Sequence, residues 1–486
     1  MPTDPAAIVA ALARRLQAQV IETHISWVLL VPGFAYKLKK PVRLPFVDYS
    51  TPERRHHFCA EEVRLNARYA PSLYLGVARV TGPAHEPAID GPGATLDYAV
   101  KMRRFPAGAL FSEQAAAGTL TASAIDRFAA LLARVHAEAP AAHSEPARAD
   151  GHLLRRTLAA LDGCRSLLAQ DEHAALQDWI AHEAAATAPL WPARRAAGFV
   201  RECHGDLHLA NVLELHGEVA AFDCIEFDAS LRWIDVLEDL AFPVMDLAAS
   251  GLPALAWRLL DGWLERTGDY DGLPGLRLCL VYRALVRAMV AQLREPGGAP
   301  ARRYARQALA FTRCAPPRLF ITHGLPGSGK TFFSQLLLER EGAIRIRSDV
   351  ERKRLAGLDR LASSQAAGLD LYTADATERT YERLFALART ALLAGFPVVL
   401  DAAFLRHDER ERAHAVARAC GAAFGIVACK APLPVLRERI RKRRGDASEA
   451  DLAVLEKLRA SEEPLREEER PFLVVPPGET QESTAC

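Results

Sequence analysis

Apolar and polar positions divide this chain into a β-rich beginning, a long helical middle and a final stretch where strands and helices alternate. Residues 6–19 repeat alanine and leucine at helical spacing, with Arg14 and Arg15 on another face, which predicts a short amphipathic helix. Residues 24–31 and 34–44, rich in Val, Leu, Trp and Tyr, flank Pro32-Gly33 and predict a two-stranded hairpin. In the second of these strands Lys37 and Lys39 alternate with Tyr36 and Leu38, so both amines share one face. The plainest expectation for that face is contact with water. Residues 52–70, carrying Glu61 and Glu62, predict a helix that ends at Ala70-Pro71. Strands follow at 73–80 and 95–103, and Phe105-Pro106-Ala107-Gly108 breaks the pattern. Beyond it, alanine- and leucine-rich stretches at 122–137 and 152–168 predict helices.

The period changes again after Cys314-Ala315-Pro316-Pro317, which interrupts a helix and marks a linker. Residues 318–323 read as a buried strand and 332–341 as a helix, with further strands at 343–347, 398–401 and 425–429. Such alternation over about 170 residues predicts a compact α/β domain with a parallel sheet. The expected organisation is therefore two domains: 1–312, β-rich to about residue 104 and helical after it, and 313–486.

Composition changes this picture little. The 61 Lys and Arg nearly balance the 60 Asp and Glu, so no global field draws the chain to nucleic acid or an anionic membrane. Nine scattered cysteines without a C-x-x-C pair, and the lack of a secretory leader, predict free thiols in a reducing compartment. No apolar run reaches about 18 residues, so no membrane span is expected and the cytoplasm is the expected location.

The strongest chemical signal is GLPGSGKT at residues 324–331, which fits the phosphate-binding pattern G-x-x-x-x-G-K-[ST] between a strand and a helix. Gly324, Gly327, Ser328 and Gly329 let backbone N–H groups turn around a phosphate, Lys330 reaches the outer phosphates and the Thr331 hydroxyl can hold Mg²⁺. Asp349 and Asp401 follow two strand ends, where α/β proteins bind ligands, and Arg352 falls one helical turn after Asp349. Arg439 and Arg443, in the basic run 437–444, are four apart and are expected to share a helix face. No N-K-x-D occurs, which disfavours a GTP switch.

A second constellation lies upstream. HGDLHLANVL and AFDCIEFD place Asp206 and Asn211 in a D-x-x-x-x-N spacing, with Asp223 twelve residues on, after an apolar run. Phosphoryl transfer needs an oxygen base for the acceptor hydroxyl and hard oxygen ligands for Mg²⁺, and this set supplies both.

On HGDLHLAN, FDCIEFD and the later acidic segment 235–241, residues 24 to about 250 resemble the aminoglycoside phosphotransferase family, a branch of the kinase-like fold. The resemblance implies a bilobal, protein-kinase-like α+β domain, with Asp206 as catalytic base and Asn211 and Asp223 as Mg²⁺ ligands. It further implies Lys37 as the phosphate-holding strand lysine paired with Glu62, and residues 98–105 as the hinge against adenine. Lys39 shares the parity of Lys37, and a one-residue shift would exchange Glu61 for Glu62. This chain departs from the pattern before Lys37, where Pro32-Gly33 stands instead of G-x-G-x-x-G, so the phosphate-covering loop is expected to be short.

Residues 313–486 resemble an AAA-type ATP-binding domain of the P-loop kinase group containing zeta toxins, polynucleotide kinases and gluconate-type kinases. That resemblance implies that Asp349 activates an acceptor hydroxyl, Arg352 holds the substrate, Asp401 binds the Mg²⁺ water shell, and Arg439 and Arg443 close as a lid on the γ-phosphate. Together the two parts imply a bifunctional ATP-dependent phosphotransferase using ATP and Mg²⁺ on small-molecule hydroxyls. The rival readings are a regulatory protein, with a pseudokinase sensor and a P-loop ATPase switch, and a polynucleotide 5′-hydroxyl kinase in the second domain. The balanced charge disfavours nucleic acid as a partner, while the basic run 437–444 leaves it open for the second domain.

Overall fold

The computed structural model describes residues 4–44, 47–142, 152–313 and 316–474. The chain forms two compact units, Met1–His152 with Trp191–Asp246, and Leu153–Leu190 with Leu247–Cys486. The boundary expected near residue 312 falls inside the second unit.

The first unit is built on a six-stranded antiparallel sheet, ordered Gln19–Glu22, Ser26–Val31, Phe34–Lys39, Thr95–Arg103, Tyr74–Thr81, Ala88–Ile89. Strand parity decides which residues face which layer. Tyr36 and Leu38 point to the face covered by the N-terminal helix Pro5–Leu16, whose Ile8, Val9 and Leu12 are buried against them. Ala35, Val100 and Met102 point the other way, to a core shared with Cys59 of helix Pro52–Asn66. That helix starts where Thr51 accepts the Arg54 N–H and Pro52 pre-sets its first turn.

Two edges differ from expectation. The first helix ends at Leu16 rather than Gln19, because Gln17 turns left-handed at φ 51° and frees Gln19–Glu22 to become the edge strand. The strand expected to run to Leu44 stops at Lys39; Pro41 has no N–H for the ladder, and Arg43–Leu44 pairs separately with Val47–Asp48.

The second unit contains helices Gln170–Thr187, Pro253–Thr267, Leu273–Arg294 and Ala299–Thr312 together with a four-stranded parallel sheet. The sheet order is Ile344–Arg347, Val398–Asp401, Arg318–His323, Ala423–Ala428. Its strands are buried on both faces, as parallel strands require. Among the described residues no helix is long and apolar enough to cross a membrane, and the seven described cysteines are free.

Candidate active sites

In the first unit the lysine-bearing face of strand Phe34–Lys39 is not solvated. Helix Pro52–Asn66 lies across it, the Lys39 side chain is 0% exposed and that of Lys37 14%. Glu62, fully buried, receives both amines: Lys37 Nζ at 2.9 Å and Lys39 Nζ at 2.8 Å. From there the two lysines diverge. Lys37 reaches Asp223 Oδ1 at 2.5 Å, whereas Lys39 donates to Glu226, which also accepts the Tyr49 hydroxyl. Glu61 instead pairs with Arg64 at 2.8 Å. Burial opposes charge on Glu62, but Lys37 and Lys39 pull its carboxyl down to about 2.

Hairpin geometry assembles the acidic set. Val212–Leu215 pairs with Glu218–Ala221 in the register Val212↔Ala221, so Asn211 and Asp223 lie at the same open end, and the Phe222 N–H donates to the Asn211 carbonyl at 2.9 Å. Asn211 Nδ2 donates to the Asp206 carbonyl at 2.9 Å. The Asp206 side chain is 39% exposed and can meet an incoming hydroxyl. Asp223 sits at φ 66°, a conformation Asp tolerates better than most residues, with its N–H on the Tyr74 hydroxyl at 3.2 Å.

The loop is fixed from beneath. Buried Asp239 accepts the N–H groups of His204 at 3.2 Å and Gly205 at 2.9 Å and lies 3.2 Å from His136 Nε2, while Asp246 accepts the Leu209 N–H at 2.8 Å. Burial lowers the His204 pKa; its Nε2 lies 2.9 Å from the Phe222 carbonyl and its Nδ1 accepts the Asp206 N–H at 3.4 Å. Two connections precede Lys37 in the sheet, the segment Thr23-His24-Ile25 and the Pro32-Gly33 turn. The first holds no glycine and closes on itself, Thr23 Oγ1 lying 3.0 Å from the Ser26 N–H donor and 3.1 Å from its carbonyl.

In the second unit the loop 324–329 leads directly into helix Lys330–Glu341, two residues earlier than expected. Gly324 at φ 147° has no room for a side chain: a Cβ would lie 2.2 Å from the Cys429 carbonyl oxygen. Gly327 and Gly329 also take positive φ, at 83° and 98°. Lys330 Nζ donates to the carbonyls of Gly324 at 2.9 Å and Leu325 at 3.0 Å, and burial lowers its pKa. The Ser328 hydroxyl is buried without a hydrogen-bond partner.

Around this loop one cavity of about 800 Å³ is lined by Gly327, Ser328, Gly329, Lys330, Thr331, Asp349, Arg352, Asp401, Arg439 and Arg443. Every side chain singled out from the second domain thus faces the same space, with Gly324 supporting it from behind. Arg352 Nη1 lies 3.1 Å from Asp349 Oδ1, and its guanidinium stacks 4.9 Å over the Tyr372 ring. Buried Asp401 is 3.2 Å from the Ser334 hydroxyl. Arg439 Nη1 donates to the Gly327 carbonyl at 3.0 Å. Arg443 does not share a helix face with it: the helix Leu433–Lys442 ends one residue earlier, Arg443 is extended at φ −58° and ψ 131°, and it reaches the Ser448 hydroxyl at 3.0 Å.

The sequence did not single out Lys39, Glu226 and Tyr49 as one cluster, nor Tyr372 and Arg347, which line the cavity around the glycine loop. Lys39 had a signal in its parity with Lys37, and Arg347 in its place at a strand end.

Residues 51–278 match the phosphotransferase enzyme family and residues 319–465 match an AAA domain. The chain is therefore a phosphotransferase-family domain followed by an AAA-type, P-loop kinase-like domain. It belongs to the same family as an uncharacterized protein of Mycobacterium tuberculosis (strain ATCC 25618 / H37Rv), with 30% identity over 453 residues, 91% of this chain and 89% of the relative. A choline/ethanolamine kinase family protein from Mesorhizobium loti is 16% identical and covers 64% of this chain and 99% of its own, at a TM-score of 0.36. The Mycobacterium tuberculosis APS kinase, in complex with AMPPNP and APS, is 22% identical and covers 35% of this chain and 94% of its own, at a TM-score of 0.24.

Proposed function

We propose that this chain is an ATP-dependent phosphotransferase that moves the γ-phosphate of ATP to the hydroxyl of a small molecule, with a site in each unit. The observation that carries this reading is the single cavity that gathers the phosphate loop, Asp349, Arg352, Asp401 and the two lid arginines. The loop fits a polyphosphate: its glycines leave the backbone bare, Lys330 stands at the helix start, and the buried Ser328 hydroxyl lacks a partner. Hard oxygen donors fit Mg²⁺, with Thr331 and Asp401 as its holders in the second unit and Asn211 and Asp223 in the first. When bound, Mg²⁺ neutralises charge on the phosphate oxygens.

The residues then divide the work. Asp349 accepts the acceptor's hydroxyl proton as the new O–P bond forms and ADP departs with the electrons of the broken β–γ bridge. Arg352, stacked on Tyr372 and paired with Asp349, orients that carboxylate and the acceptor. Lys330, Arg439 and Arg443 counter the phosphate charge. Asp206 takes the proton-accepting role in the first unit.

A second reading assigns turnover to the P-loop site alone and makes the first unit a sensor. The Lys37–Asp223 pair at 2.5 Å favours it. Mg²⁺-dependent ATP turnover by the full chain, scanned over sugars, choline, aminoglycosides and an oligonucleotide 5′-hydroxyl, separates the two. For at least one acceptor Asp349→Asn is expected to lower turnover by about 10²-fold or more with nucleotide binding retained, and for another Asp206→Asn is expected to do the same. Undiminished turnover of every acceptor in Asp349→Asn overturns the role of the second site, and undiminished turnover of every acceptor in Asp206→Asn moves all chemistry to the second site.

A further inference from the structure

We propose that Glu265 is a positioning residue for the P-loop cavity: through Arg347 and Asp446 it fixes the segment that presents Arg443. This rests on the reading of that cavity as a phosphotransfer site. Glu265 lies on helix Pro253–Thr267, outside the stretch 319–465 that matches the AAA domain and inside the stretch 51–278 that matches the phosphotransferase family. The cavity therefore depends on a helix that its own family segment does not supply.

Strand parity explains the contact. Along Ile344–Arg347, Ile344 and Ile346 are buried among apolar neighbours, while Arg345 and Arg347 share the other parity and meet helix Pro253–Thr267. Asp261 takes Arg345, with Nη2 at 2.6 Å and Nε at 3.3 Å. One turn later Glu265, 6% exposed, takes Arg347 Nη1 at 3.4 Å and Arg360 Nη1 at 3.0 Å. Its main-chain carbonyl accepts Arg354 Nη2 at 2.7 Å. Burial would raise the Glu265 pKa, yet Arg347, Arg345 and Arg360 hold its carboxyl below the ordinary range, so the carboxylate is charged.

Arg347 carries the effect onward. Its Nη2 donates to Asp446 Oδ1 at 2.7 Å, and its Nε lies 3.6 Å from Asp401 Oδ2. Asp446 is three residues past Arg443, and the Asp446 carboxylate also accepts the Ser448 N–H at 3.4 Å. Ser448 Oγ in turn accepts Arg443 Nη1 at 3.0 Å. Arg443 has left the helix, though its N–H still caps the Ile440 carbonyl at 3.3 Å; its guanidinium rests on Ser448 Oγ and on the Ala450 carbonyl at 3.4 Å, both on the segment that Asp446 anchors. A planar fork with five donors suits Arg347 to such a bridge, since it satisfies separate carboxylates in fixed directions.

The test uses the full chain without ligand first. Trypsin cleavage at exposed Arg441 and Arg444 reports the freedom of the segment directly. Glu265→Gln and Asp446→Asn are each expected to speed that cleavage several-fold while cleavage away from this segment and from Arg360, which Glu265 also holds, is unchanged, and the double variant to match the faster single one. A folded Glu265→Gln chain cleaved at the parental rate, or a double variant in which the two effects multiply, overturns the relay. Asp446 is a third exposed, so Asp446→Asn keeps the test open if Glu265→Gln does not fold; no change in that variant likewise overturns it. ATP affinity is then measured on the same variants. Faster cleavage with several-fold weaker ATP binding supports both claims, whereas faster cleavage with unchanged ATP binding keeps the relay and removes its link to nucleotide.

Discussion

Glu62 is a carboxylate of the first unit, 0% exposed, held between two lysines. Its desolvation would favour the neutral acid, but the paired amines win and depress its pKa from 4.5 to about 2. The unfolded chain therefore binds this proton more readily than the folded one. Stability from Glu62 is complete above about 4.5 and is lost as the pH falls toward 2. Denaturation midpoints measured across that interval are expected to fall with pH; a midpoint that does not move would contradict the pairing. Gly324 shows the opposite kind of residue-level constraint, since its φ of 147° and the 2.2 Å at which a Cβ there would meet the Cys429 carbonyl oxygen follow from backbone packing and involve no charge.

Helix Pro52–Asn66 and strand Phe34–Lys39 act as one element pair, and the two lysines between them are not equivalent. Lys39 has no access to water and bridges Glu62 and Glu226, so removing its charge leaves two buried carboxylates with less compensation. Lys39→Met is expected to destabilise the chain by about 3–5 kcal/mol. Lys37 sits at the rim beside Asp223, and Lys37→Met leaves Lys39 on Glu62. Its loss of stability is expected to be smaller and its loss of nucleotide binding larger. Thermal unfolding and nucleotide titration of both variants check this, and equal stability losses would show that the two lysines share one role. Alternation along the strand made their common face legible in the sequence. Their burial was not, because it depends on helix Pro52–Asn66 lying across the strand, a contact between elements that the strand's own pattern does not contain.

At the scale of the whole chain, the boundary expected near residue 312 does not coincide with the division into compact units. Helices between residues 247 and 312 belong to the same compact unit as the parallel sheet. A fragment 313–486 would carry Arg345 and Arg347 without Asp261 and Glu265. Without helix Pro253–Thr267 these arginines lose carboxylate partners and the sheet loses the cover of that helix, so fragment 313–486 is expected to unfold at lower temperature than fragment 247–486. Calorimetry of the two fragments checks this, and matching transitions would show that the parallel sheet needs no helix from the upstream stretch.

What the sequence determined by itself was local. A glycine loop that must turn left-handed before a helix, a D-x-x-x-x-N spacing followed by an aspartate after a strand, and alternating strand faces all depend on neighbours within a few residues. These features located the glycine loop 324–331, the set Asp206, Asn211 and Asp223, and the face shared by Lys37 and Lys39. Tertiary structure decided the pairings: Glu226 for Lys39, Glu265 for Arg347, and an extended Arg443 where a helical one was expected. Each of the two ion pairs joins residues more than about 80 positions apart, and such pairing is fixed by which faces are buried together, a property of packed elements that no single stretch of chain contains.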